Sequence, residues 1–241
     1  MRNMILASAC AVALLASGAA SAQVTGTLGG GYSRVLDGGG ADIYGLNGSL
    51  AAGLGQGWTL EGTGSYFNLN PGGLDLWNTG LNLSAATGFG RIAAGATHAG
   101  VAAGHGTTYG AGADWFFSED ITLSLKGGGH YATGGNDGGF AGLQGIYYLN
   151  PNLALSASAE YVAASFADIN SQKIKAEWKF SDTLPLSFYG GYQRYETGGT
   201  DVNALFVGVK FYLDGAPNLV GSHRTGSLGY IGQSIFQIGG Y

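Results

Sequence analysis

The sequence predicts an all-β fold, a transmembrane antiparallel β-barrel of about twelve strands. Three observations lead there. Apolar and polar residues alternate along most of the chain, the alternating segments are long enough to cross a bilayer, and charge is scarce. Only 10% of the 241 residues are charged, against about 25% in ordinary soluble domains. Gly is abundant at 47 residues. Pro numbers only 4, however, and aromatics make up 12%, which separates the chain from disordered low-complexity sequences.

The first 22 residues read as a cleaved signal peptide. Arg2 gives a positive start, Ile5 to Ala16 is an apolar run too short to span a bilayer as a helix, and "ASA" at 20–22 is an A-x-A-like cleavage site. Cys10, the one cysteine, lies inside that apolar run and lacks the preceding large aliphatic residue of a lipidation site. With the leader removed, no disulfide or thiol chemistry remains. Removing Arg2 takes the net charge from −5 to −6. No basic patch points to nucleic acid.

Alternation recurs at 24–35, 43–54, 58–68, 81–85 continuing through 92–96, 107–117, 121–131, 140–149, 153–161, 173–180, 186–195 and 203–213. It is cleanest in "KIKAEWKF" at 173–180, where Ile174, Ala176, Trp178 and Phe180 alternate with Lys173, Lys175, Glu177 and Lys179. Counting hairpins gives twelve strands, each near the 9–11 residues a tilted strand needs to cross a bilayer. Segments 69–80 and 139–149 alternate poorly, which leaves ten and fourteen strands as alternatives. Tight turns fall at "GQGW", "TGFG", "SED", "NPN" and "SDT". Longer connections are expected at 36–42, 69–74, 98–106, 133–139, 167–171 and 196–201. Short turns at one end and longer loops at the other match periplasmic and extracellular ends.

Hydrocarbon offers backbone groups no hydrogen-bond partner, so a spanning sheet must close on itself. Its outer face is apolar and its lumen tolerates charge. The strand-borne charges share one parity: Glu61, Arg91, Asp114, Lys126, Glu160, Lys173, Lys175, Glu177, Lys179 and Lys210, with His130 beside them. These are the expected lumen residues. Six are positive and four negative, so the lumen carries +2 within a negative chain and should mildly favour anions. The competing reading is that these charges pair and fill the interior. Trp58, Phe117, Tyr147, Tyr148 and Phe180 beside the short turns, and Tyr32, Tyr44, Tyr131, Tyr161 and Tyr192 toward the loops, read as interfacial girdles.

The stretch "VGVKFYL" at 207–213, within the ladder Leu205, Val207, Val209, Phe211 and Leu213, resembles the terminal strand signal of porin-like outer-membrane β-barrels of Gram-negative bacteria. The resemblance covers residues 23–213 as a pattern. It implies an outer-membrane location, insertion by the barrel assembly machinery, which reads the last strand, and passive diffusion of small solutes. Two other readings stand beside it: a non-conducting structural or adhesive barrel, and a lipid-modifying enzyme.

The residues supply little for catalysis. No Gly-x-Ser-x-Gly elbow, dinucleotide fingerprint or P-loop occurs, and no cofactor is expected. His98 and His105 bracket "HAGVAAGHG" without the Cys or clustered carboxylates of a metal site. Loop-side acids Asp37, Asp42, Asp75, Asp137, Asp168, Glu196 and Asp201 suggest either solvated loop ends or divalent-cation contacts to lipopolysaccharide among the membrane lipids. The barrel should close at Leu213, because counting back from Tyr241 gives a poor apolar ladder. Residues 214–241 are then a tail, periplasmic or docked into the lumen, and the apolar "YIGQSIFQI" favours docking.

Overall fold

The computed structural model describes residues 24–37, 40–101, 104–133, 137–164 and 168–225. The expected signal peptide, Cys10 and "YIGQSIFQI" lie outside the described residues. The described chain forms twelve strands: β1 (Val24–Val35), β2 (Asp42–Gly55), β3 (Trp58–Asn70), β4 (Leu74–Thr87), β5 (Gly90–Val101), β6 (Gly104–Ser118), β7 (Ile121–Ala132), β8 (Gly138–Asn150), β9 (Leu153–Ala164), β10 (Ile169–Lys179), β11 (Leu186–Thr197) and β12 (Thr200–Tyr212). A short helix, α1 (Leu219–Thr225), follows.

Every strand pairs antiparallel with its sequence neighbours, and β1 pairs with β12 to close the barrel. Closure leaves no sheet edge with unpaired backbone groups, as a hydrocarbon surrounding requires. The outward parity is apolar and accessible: Leu205, Val207, Val209, Phe211 and Leu213 are all exposed, as are Leu46, Leu81, Leu143 and Ile174. The inward parity of β10 is the alternate set, with Glu177 and Lys179 1% exposed.

The strands run farther than alternation alone indicates, 11 to 15 residues. Several connections expected to be long are therefore short. The segment 98–106 is strand up to Val101 and again from Gly104. At 196–201 only Gly198 and Gly199 connect β11 to β12. Their φ values of 55° and 79° give the left-handed pair a tight hairpin needs. Conversely, "SDT" belongs to a longer connection at 180–185. The two ends still differ. At one end four of five connections have two residues, and β2, β6 and β8 each carry a bulge just before the turn. We call this the short-turn end.

Glycine inside the strands makes room for rings. Gly208 pairs directly with Tyr189, and a Cβ there would lie 2.3 Å from the Tyr189 ring. On the outer face, Gly100 sits under Trp77 in the same way.

Among the described residues, two apolar clusters lie in the interior. Ile43, Phe67 and Leu76 cluster inside the loop end with Val35 and Leu69. Tyr148, Ala154, Tyr212 and Leu219 cluster inside the short-turn end. Tyr148 therefore is not a girdle residue. It is 2% exposed and faces inward, whereas Trp58, Phe117, Tyr147 and Phe180 are exposed on the outer face.

Candidate functional site

The interior charges form a wall-bound network. On β10 the inward parity places Lys173, Lys175, Glu177 and Lys179 one above another. Arg91 and Asp114 are register partners on β5 and β6 and make an ion pair of 2.8 Å. Lys126 and Glu160 meet at 2.5 Å although β8 lies between their strands. The residue between them in register is Gly142, where a Cβ would come within 2.7 Å of the Lys126 side chain. Glycine at that point lets the bridge form.

Glu177 is the centre of a second group. Its carboxylate accepts from Lys175 at 2.8 Å, from the Ser187 hydroxyl at 2.8 Å and from the Tyr212 hydroxyl at 2.5 Å. Lys210 and His223 stand 3.6 Å from it. A carboxylate with no solvent exposure is tolerated only with such partners. These pairs join positions on one strand or at most two strands apart, so they run along the wall, not across the lumen. Most of the inward charges are therefore paired, and these pairs follow the wall.

Lys173 differs from the others. Among the described residues it makes no ion pair and no side-chain hydrogen bond. It borders a cavity of about 60 Å³, room for about two waters at roughly 30 Å³ per water. Polar groups line this cavity: Gln144, Ser158, Ser171, Gln193 and Tyr195 beside the Lys126–Glu160 pair. Gln193 donates to Ser171 at 3.0 Å, next to Lys173. The cavity occupies the β6–β11 half of the barrel. Glu61 on β3 faces inward at 3% exposure.

His130 also faces inward, 4% exposed, near the loop end of β7. Neither ring nitrogen has a hydrogen-bond partner among the described residues. His98 and His105 lie outside, their ring centroids 5.5 Å apart. No group of three or more potential metal ligands occurs among the described residues.

The loop-side acids are mostly held by side chains of neighbouring strands. Tyr32 donates to Asp42 at 2.6 Å, Tyr66 to Asp75 at 2.7 Å and Tyr161 to Asp168 at 2.6 Å. Asn203 donates to Asp37 at 2.8 Å, and Arg194 pairs with Asp201 at 2.8 Å. The recurring Tyr–Asp couple puts the ring on the outer face and its hydroxyl at the rim. The sequence places Tyr32, Tyr161 and the three acids toward the loops, but not Tyr66, and it does not show that they pair. The near spacing of Tyr and Asp across each loop was the available signal.

The tail docks at the short-turn end. Leu219 is fully buried in the cluster with Tyr148 and Tyr212. His223 lies between the Tyr148 and Tyr212 hydroxyls, 3.2 Å from each. It is outside the strands, and burial holds its imidazole below the ordinary range, partly opposed by its contact with Glu177.

Neither a family model nor a characterised protein matches the chain in sequence. Solved structures do match in fold. KdgM porin in complex with disordered oligogalacturonate aligns with a TM-score of 0.57 at 10% identity, over 76% of this chain and 98% of that one. NanC porin aligns at 0.60 and 12% identity, over 77% and 98%. An outer membrane channel from Pseudomonas putida F1 aligns at 0.54 and 13%, over 80% and 95%. At such identities the likeness is one of fold: the chain has the closed barrel of porin-like outer-membrane proteins.

Proposed function

We propose that this barrel is an outer-membrane channel for passive diffusion of small hydrophilic solutes, with a mild preference for anions. The observation that carries the proposal is Lys173, a lysine without an ion-pair partner among the described residues, facing a polar cavity at mid-barrel. The cavity lining itself is balanced, Lys126 and Lys173 against Asp114 and Glu160, and Lys175 and Lys210 lie beyond it around Glu177, so the excess of positive charge belongs to the barrel interior as a whole. Fixed positive charge in a narrow lumen raises the local concentration of anions and lowers that of cations. Amide and hydroxyl groups beside the ammonium offer hydrogen bonds to a hydrated solute.

The fold supports the same reading. The barrels compared above are porins or channels, and one was solved with oligogalacturonate, a polyanion. In this orientation the short-turn end is periplasmic, and the rim of Tyr–Asp couples meets the lipopolysaccharide headgroups. The outward ladder ending at Leu213 is the segment the barrel assembly machinery reads.

Liposome swelling tests the channel directly. Purified chain in vesicles should admit small sugars and exclude large ones in order of size. Vesicles that swell no faster than protein-free controls for every solute would reject diffusion and leave a structural barrel.

A further inference from the structure

The segment after β12 is tied to the barrel along half its circumference. Leu213 donates its N–H to the Gly26 carbonyl at 2.8 Å beside β1. Lys179 on β10 then donates to the Ala216 carbonyl at 2.5 Å. The Leu219 N–H reaches the Pro151 carbonyl in the β8–β9 turn at 2.9 Å. Arg224 donates to the carbonyls of Ser118 and Glu119 in the β6–β7 turn, the latter at 3.1 Å, and lies 5.0 Å over the Phe116 ring. In a ring of twelve strands β6 stands opposite β12. The segment thus follows the short-turn end from β12 to the far side. It covers the half that bears the Lys173 cavity.

The contacts it makes are inward ones. Tyr148, Ala154 and Tyr212 face the lumen and form one buried cluster with Leu219. His223 touches the Glu177 group, two residues below Lys175 on the β10 ladder. A solute moving down that ladder from Lys173 meets α1 after Glu177.

We propose that α1 is a lid on the short-turn mouth: docked, it narrows the exit of the charged half, and released, it opens it. The hinge is residues 213–218, where Gly215 has a φ of 67° and Asn218 caps the helix through the Gly221 N–H at 2.9 Å. Docking rests on few groups, chiefly Leu219, His223 and Arg224. The rest of the barrel does not depend on them, since all twelve strands pair without the tail. This inference rests on the channel reading above.

Single-channel recording in planar bilayers tests it with three proteins. The full chain should move between two conductance levels. A Pro151→Cys, Leu219→Cys variant can form a disulfide, because the backbone hydrogen bond between those residues brings their α-carbons within reach. Oxidised, it should stay at the lower level, and reduction should restore the upper one. A chain lacking 214–241 should hold only the upper level, roughly twofold or more above the locked protein. Equal conductance in the locked and truncated proteins overturns the lid and leaves the channel standing. Absence of conductance in all three overturns both.

Discussion

Lys126 reaches over Gly142 to pair with Glu160 at 2.5 Å, joining β7 to β9 across the intervening strand. Both side chains are more than four-fifths buried. Breaking a well-buried ion pair by removing one partner costs about 3–5 kcal/mol. Glu160→Gln should therefore lower the temperature at which the folded barrel loses its compact electrophoretic mobility. Gly142→Leu should do the same while leaving both charges in place. Unchanged melting in both variants would show that the bridge contributes nothing.

Glu177 should be the most sensitive single position on β10. It satisfies Lys175, Ser187 and Tyr212 together. Glu177→Gln removes the charge that Lys175 and Lys210 face, and it should destabilise the barrel more than Lys173→Gln. Lys173 has no such partner among the described residues. Urea unfolding in detergent micelles compares the two, and a larger loss for Lys173→Gln contradicts the assignment.

The closing strand sets a third expectation. Val207 and Phe211 face outward with Leu205 and Leu213. A positive charge on the lipid face costs about 2–4 kcal/mol near the membrane midplane. Val207→Arg should reduce the amount of folded protein recovered from outer membranes. Deleting 214–241 should leave it near the full-length level. Loss of insertion on that deletion would move the assembly signal into the tail.

The lid should respond to acid. His223, docked, is surrounded by Glu177, Lys175, Lys179 and Lys210 on the strands, the Tyr148 and Tyr212 hydroxyls, and Arg224 on its own helix. Burial lowers its proton affinity when docked, so the released state binds the proton more readily. Docking is then fully stabilised above the free imidazole value of about 6.5 and weakens as pH falls toward the lowered value. Open-level occupancy should rise between about pH 7.5 and about pH 5. In His223→Gln that rise should vanish; an identical rise there would assign the pH response to another group.

The parts legible in the sequence are those governed by alternation. Along β10, each lysine and Glu177 faces inward because the outward set Ile174, Ala176 and Trp178 meets lipid. β4 and β8 alternate poorly for a reason the structure supplies. Their inward faces carry Leu76, Phe140, Ile146 and Tyr148, so apolar residues lie on both parities. The same fact hid Tyr148 from a reading in which aromatics near turns belong to girdles. Glycine pairs mark loops and tight turns alike, so the sequence does not separate a longer loop at 196–201 from the hairpin at Gly198 and Gly199. The tail's docking site was beyond reach. It is composed of residues from β8, β9, β10 and β12, which only the closed barrel brings together.

The central claim is that the charged half of the lumen conducts and prefers anions. Reversal potential across a planar bilayer in a KCl gradient measures this directly. The account predicts a potential displaced toward the chloride equilibrium value, and a smaller displacement in Lys173→Gln. A potential displaced toward the potassium value, or one unaffected by Lys173→Gln, would contradict it.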